Sequence, residues 1–312
     1  MGGHIALPYA GCYSLFCEPL GDTQQKRLPQ RFTVMFTKVM LLPCFLIVLA
    51  ECSNHEEKAA VGQAVGALLS VGAETSCSLI IVTNTNIDET LKLQELRHVW
   101  RKAVTMLEVE DDNQYTNTTH TLSLMVPVLR QVRRLSQCTL VLVVSHDSKF
   151  LAAFAEWSMK GRLLVWATRL MVVTRLALPQ LQPLLTAYWT YSMMNAAFLS
   201  LNDVSSSYPV FTYLPYTPAG PQVVHVASWT PLLGVVVTEG HMLFPEKFSN
   251  FYGTRVNVTA LPFAPFWEER KGLGNITLYS GTDYYTLAAI ASALNFTIYV
   301  VPTSSWAEVR RR

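Results

Sequence analysis

Short, unbroken apolar runs, spaced along the first two-thirds of the chain, constrain its fold more than any other feature. Leu79-Ile80-Ile81-Val82-Thr83 is one, Thr139 to Val144 a second, and Leu163 to Ala167 a third. Runs this short are strand-sized rather than helix-sized. Their lack of alternation means that both faces avoid water, as in a parallel strand covered on both sides. Helical stripes lie between them. After Asp88 come Leu93, Leu96, Trp100, Ala103 and Leu107, spaced by three or four. A second helix is predicted over about Thr121 to Leu135. Asp147 is placed to cap a third, whose apolar face carries Leu151, Phe154 and Trp157 and which ends near Gly161. Pro179 suits the first turn of a fourth, bearing Leu181, Leu184, Leu185 and Trp189. Strand and helix in alternation imply an α/β fold, a parallel sheet with helices on both faces.

From about residue 207 to 239 the texture changes. Pro209, Pro215, Pro218, Gly220, Pro221 and Pro231 break the pattern, and the runs between them read as short strands. This stretch is the expected margin of the first domain and a connector. A new unit begins near Arg255 with a strand over Arg255 to Leu261, followed by a loop holding Pro262 and Pro265. A short strand over Ile276 to Tyr279 comes next. A helix then runs from about Asp283 to Leu294, with Tyr284, Leu287, Ile290, Ala291 and Leu294 as its apolar face. Phe296 to Val301 is the last predicted strand. A strand-helix-strand piece cannot enclose a core of its own size. The expectation is an amino-terminal α/β domain over residues 53–240 and an incomplete second domain over residues 241–312.

The most apolar stretch, Val39 to Ala50, is too short for a bilayer, which needs about 20 residues. It follows Lys38 and runs into Ala50-Glu51-Cys52-Ser53. A basic start, an apolar centre and small residues at the end describe a secretory signal peptide over residues 35–52. Met35 is then the expected start, and residues 1–34 an over-extended gene model. The competing reading is a buried helix or strand of a cytosolic domain. Four Asn-x-Ser/Thr sequons, at Asn117, Asn257, Asn275 and Asn295, fit the secretory route as candidate glycosylation sites. Asn117 falls in an expected polar loop after Glu110-Asp111-Asp112, whereas Asn295 stands in an apolar run that suits a glycan poorly. Cleavage near Ala50 leaves Cys52, Cys77 and Cys138, too few for a disulfide framework. Cys77 and Cys138 each stand one or two residues before a predicted strand, and adjacent parallel strands would bring them together. A Cys77–Cys138 disulfide and two free buried thiols both stay open at this point.

Hydrophobic residues make up 50% of the chain and charged residues 15%, ample for a packed core. The net charge of +2 comes without a clustered basic face, which argues against nucleic acid as a partner. Arg310, Arg311 and Arg312 form a run too short to name a site. No run of 18 apolar residues occurs, and Leu163 to Leu178 is interrupted by Arg169 and Arg175, so no membrane-spanning helix is expected. No P-loop, HExxH, CxxC or GxSxG motif is present. Gly272-Leu273-Gly274 reads as a hairpin turn. Ser145-His146-Asp147 holds the residue types of a hydrolase triad, but consecutive residues cannot align a nucleophile, base and orienting acid. A strand end followed by a helix cap is the simpler role. The seven His residues lack metal-ligand spacing, and Trp157, Trp166 and Trp189 read as core residues. No catalytic residue, metal or cofactor is assigned.

Leu243-Phe244-Pro245-Glu246-Lys247-Phe248-Ser249-Asn250-Phe251-Tyr252-Gly253-Thr254-Arg255-Val256-Asn257-Val258 resembles the join between the two extracellular domains of arthropod ionotropic receptors, relatives of the ionotropic glutamate receptors. Val258-Thr259-Ala260-Leu261-Pro262-Phe263-Ala264-Pro265-Phe266 looks like the first strand of the family's ligand-binding domain and its loop. Tyr279 to Ala288, with Gly281 and Asp283, is similar to the start of the family's following helix, although Tyr284-Tyr285 replace an aliphatic pair. Ala291-Ser292-Ala293-Leu294-Asn295-Phe296-Thr297 is similar to the end of that helix, and Trp306 falls where the family carries an aromatic. The likeness spans about 70 residues.

The resemblance implies a periplasmic-binding-protein-like ligand-binding lobe, of which only the start is present. It implies a clamshell whose closure on a small-molecule ligand, an amino acid or an odorant-like compound, pulls on pore helices. It implies other receptor subunits as partners and the extracellular side of the cell membrane as location. The arginine that holds a ligand carboxylate in the family is expected beyond Arg312, so none of the terminal arginines takes that role. The leading expectation is the extracellular part of a ligand-gated cation channel subunit. The alternatives are a soluble secreted binding protein and, without an assembled site, a secreted α/β enzyme.

Overall fold

The computed structural model describes residues 60–71, 77–85, 100, 103–109, 115–201, 207–272, 274, 276–301, 303 and 305. The expected gene-model extension, the signal peptide, Asn275, Trp306 and the terminal arginines lie outside the described residues, as do Leu93 and Leu96.

The apolar runs become the centre of an eight-stranded sheet. Its strands are β1 (Ser78–Thr83), β2 (Val104–Glu108), β3 (Thr139–Val144), β4 (Arg169–Thr174), β5 (Asn195–Ser200), β6 (Tyr208–Leu214), β7 (Gln222–Thr230) and β8 (Gly234–Val237). They lie in the order β2-β1-β3-β4-β5-β6-β7-β8. The first five are parallel, and β6 to β8 continue antiparallel. The proline-broken stretch thus completes the sheet rather than leaving it. The fold is mixed α/β with a mostly parallel sheet.

Alternate residues of each central strand face opposite cores. Leu79 and Ile81 of β1 and Leu140 and Leu142 of β3 join one cluster with Val61, Ala64, Val65, Leu68 and Leu69 of helix α1, residues 60–71. That spacing is helical, a signal that a strand-centred reading of the sequence passes over because alanine and glycine dilute it. Ile80, Val82, Val141 and Val143 join the other cluster, under α2 (Tyr115–Arg134), α3 (Ser148–Lys160), α4 (Leu178–Ala187) and the single turn α5 (Trp189–Ser192). Gly161 ends α3 where a Cβ would run into the side chain of Val126 on α2, so the two helices approach only because that position has no side chain.

Several boundaries differ from expectation. The third strand is not Leu163 to Ala167 but Arg169–Thr174. Leu163 and Leu164 are buried, and Val165 to Thr168 turn before the strand begins. Arg169 opens β4 and Arg175 follows it, so neither interrupts the strand's apolar run. Leu107 does not extend a helical stripe. It lies in β2, an edge strand of alternating exposure whose three-residue spacings mimic a helix. Residue 117 stands in the first turns of α2, not in a loop. The strand from Arg255 stops at Thr259.

The last unit contains β9 (Arg255–Thr259), the hairpin β10 (Glu268–Lys271) and β11 (Thr277–Ser280), α6 (Thr282–Leu294) and β12 (Thr297–Val301). β9 and β12 pair in parallel with α6 as the crossover. Gly272 and Gly274 fall in the hairpin connection, as read from the sequence. Of the expected apolar face of α6 only Ala291 is buried, and Ile290 is exposed. The helix start is fixed by Gly281, whose φ of 109° and close approach to Phe266 O exclude a side chain. The Thr282 and Asp283 N–H groups donate to Pro265 O and Phe266 O, so these amides are satisfied by the preceding loop. Among the described residues, no helix is long and apolar enough to cross a membrane.

Cys77 and Cys138 precede β1 and β3, whose register pairs Ser78 with Thr139. The Cα atoms are 4.6 Å apart and the disulfide is formed, which closes the alternative of free thiols. It spans a sequence separation of 61, and closing a loop of that size stabilises by about 4 kcal/mol through the unfolded chain. Urea unfolding of Cys138→Ala against the oxidised wild type should show a loss of that order. Equal midpoints would mean that the bridge is absent in solution.

Candidate functional site

Open parallel sheets place ligands outside the carboxyl ends of their strands, at the point where strand order reverses. Here that point lies between β1 and β3, beside Thr83, Ser145, His146 and Asp147. The groups at these ends serve their own turns. Thr83 Oγ1 accepts from Thr85 N–H at 3.0 Å, Ser145 Oγ from Asp147 N–H at 3.1 Å, and Thr174 Oγ1 from Leu176 N–H at 3.2 Å. His146 Nδ1 accepts from Arg175 N–H at 3.1 Å. Asp147 caps α3 by accepting from Lys149 and Phe150 N–H. Ser145-His146-Asp147 is therefore a strand end and cap, as its consecutive spacing implied.

A cavity lies at the opposite, amino-terminal end of β4 and β5, where the connector lands. It measures about 570 Å³. Trp166 comes from the turn before β4, Trp189 and Met193 from around α5, Asn195 from the start of β5, and Tyr216 from just after β6. Glu246, Phe248 and Phe251 of the connector complete the described lining. Trp166 packs edge-on against Phe248 at 5.1 Å between ring centres, and Tyr216 lies 4.1 Å from Phe251. Trp166 and Trp189 are 57% and 49% exposed, which corrects their reading as core residues. Trp157 alone of the three packs against the core. Trp166 sits in a turn because β4 begins at Arg169, six residues later than the Leu163 start its apolar neighbours implied.

The connector is held by a buried cation. α5 is pinned to α3 by Thr190 Oγ1 donating to Ala155 O at 2.6 Å and by Tyr191 OH donating to Leu151 O at 2.7 Å. Burial pushes the Tyr191 phenol well above its usual range, with Tyr188 adding to the shift, so it stays a neutral donor. The turn then presents three carbonyls to Lys247, which is only 4% exposed. Lys247 Nζ donates to Met194 O at 2.7 Å, Ser192 O at 3.2 Å and Tyr191 O at 3.5 Å. Leu243 is buried in the first cluster, and Arg169 lies over the Phe244 ring. Residues 243–248, counted from the sequence into the second unit, are thus packed on the first domain.

Beyond Phe248 the chain turns to the last unit. Phe251 N–H donates to Leu294 O, Gly253 N–H to Asn295 O, and the Phe251 ring lies 5.4 Å from Phe296. Asn295 ends α6 in the left-handed conformation at φ 56°, and its Nδ2 donates to Asn250 Oδ1 at 3.1 Å. That amide nitrogen is the atom a glycan would occupy. Asn257 is exposed on β9, opposite Tyr299 of β12.

Among the described residues, no group of three His, Cys, Asp or Glu is placed to hold a metal ion. No protein-family model matches this chain, and no curated protein does.

Burial holds the Lys247 ammonium at about 7. The unfolded side chain titrates at about 10.4. Between these values the unfolded chain binds the extra proton, so this group raises stability as pH climbs, and its burial penalty is fully present below 7. The slope is at most about 1.4 kcal/mol per pH unit. Unfolding free energies of wild type and Lys247→Met, measured from pH 6.5 to 10, should converge or cross with that sign. Parallel curves would show that Lys247 keeps its proton throughout.

Proposed function

We propose that this chain is the extracellular, ligand-sensing part of an ionotropic-receptor-like, ligand-gated cation channel subunit, whose intact form works with other receptor subunits at the cell membrane. The observation that carries the reading is the coincidence of resemblance and local fold. The stretch from Leu243 that resembles the family join runs off the first domain, through Lys247 and Phe251, into a parallel β9-α6-β12 unit. A strand, a proline-bearing loop and a helix opened by Gly281 fall in the order the resemblance implies. The ligand-binding lobe of which this unit would be the start is periplasmic-binding-protein-like by that resemblance.

The second reading, a soluble secreted binding protein, is favoured by the aromatic cavity, which the first domain and its connector form together. Both readings place the chain outside the cell, and the disulfide fits an oxidising compartment.

Sequencing the full-length transcript separates the two. Continuation into a carboxylate-binding arginine and three apolar segments of about 20 residues supports the receptor. A stop codon directly after Arg312 in the major transcript overturns it and leaves the binding protein. Expression in insect cells tests what they share: the chain should be secreted, with a glycosidase-sensitive mobility that is reduced in Asn257→Gln. An unglycosylated cytosolic product would overturn both.

A further inference from the structure

We propose that the cavity beneath Trp166 and Trp189 is a binding site for a small organic cation, an alkylammonium or quaternary ammonium head. The inference goes beyond the receptor reading, because the site is built by the first domain and the connector and stands whichever protein the chain serves.

Five of the eight described lining residues are aromatic. Aromatic faces carry negative charge density and attract a cation within about 6 Å, tryptophan most strongly. Two tryptophans left half exposed at one opening are costly unless they serve binding, and here they belong to the same cavity. Glu246 is the one charged side chain among the described lining. Its neighbour Lys247, the obvious candidate to neutralise it, points into the domain and spends its ammonium on three carbonyls. Asn195 uses its Nδ2 to donate to Trp166 O at 2.8 Å, which leaves its oxygen as the remaining polar atom. Burial raises the Tyr216 phenol above its usual range, with Tyr213 adding to the shift, so it adds no anionic charge. The lining therefore offers π faces, acceptors and one carboxylate. A carboxylate ligand would meet Glu246 without a compensating cation among these residues. A neutral apolar ligand would leave the carboxylate unmatched. An ammonium satisfies both features, and the volume of about 570 Å³ falls within the range of small-molecule sites.

The cavity also reaches the last unit. Phe251 lines it, and the same residue donates its N–H to Leu294 O at the end of α6. An occupant pressing on Phe251 acts on the element that leads into β12.

The test titrates the whole chain with choline and with its uncharged carbon isostere, 3,3-dimethylbutan-1-ol, followed by ligand-observed NMR. Choline should bind and the isostere should bind at least about tenfold more weakly, the size of one desolvated cation–π contact. Glu246→Gln, an exposed position whose change leaves the packing intact, should weaken choline several-fold. Trp189→Leu, which keeps apolar bulk and removes the π face, should weaken choline by about tenfold. Equal binding of choline and the isostere, or choline affinity unchanged in both variants, overturns the cation assignment while leaving a ligand cavity in place. Binding of neither probe overturns the assignment. Neither result bears on the transcript test of the receptor reading.

Discussion

Everything in the first domain follows from the burial of β1, β3, β4 and β5 on both faces. A strand with no wet face must satisfy its N–H and C=O groups within the sheet, because a lost backbone hydrogen bond in the core costs as much as a sizeable fraction of net stability. These four strands therefore sit side by side, with β2 on one margin and the antiparallel β6 to β8 on the other. Helices must cover both surfaces, so α1 takes one and α2 to α5 take the other. The parallel register of β1 and β3 also aligns Cys77 with Cys138. The disulfide locks a neighbourhood that strand pairing had already set.

The same constraint decides where a site can form. Each of these four central strands ends in or beside a buried hydroxyl: Thr83, Ser145, Thr174 and Ser200. Three of them take the amide of the turn that follows, and Ser200 Oγ donates to Leu176 O. The carboxyl end of the sheet is thus used to close its own turns. At the amino end the sheet is entered by loops carrying Trp166, Trp189 and the disulfide, and β6 returns there to deliver Tyr216. The connector then packs across that end.

Residues that face one environment were legible in the sequence, and residues that face two were not. The sequence places β1 and β3 within a residue, because every side chain in them except half-buried Ser78 is buried and the apolar run is unbroken. The Asp147 cap and the Gly161 stop were legible because cap chemistry is local. The expected strand is displaced from β4 because Leu163, Leu164 and Val165 are as apolar as the strand itself, and only tertiary packing chooses between them. β2 resembles a continuing helix in sequence because an edge strand buries only alternate residues. Trp166 and Trp189 look like core residues in sequence because a tryptophan in an apolar stretch carries no mark of exposure. Lys247 offered no signal at all. Its partners are backbone carbonyls more than fifty positions away, and backbone groups have no identity in a sequence.

Lys247 fixes how the two parts of the chain are joined. A buried ammonium costs several kcal/mol to desolvate, and the three carbonyls at the end of α5 offset only part of that cost, and only while α5 and the connector stay in register. Replacing the whole arrangement by apolar side chains would hold the connector with less dependence on geometry. The lysine instead gives an attachment that is strong in one position and poor in any other, since moving the connector strands either the ammonium or the carbonyls. Phe248 and Phe251, on the same short segment, pack against Trp166 and Tyr216 on one side and Phe296 on the other. Their ring contacts tolerate sliding that the hydrogen bonds do not. The short segment from Lys247 to Phe251 thus joins the aromatic cavity to the end of α6 through direct contacts on both sides of a fixed point, rather than through a slack linker.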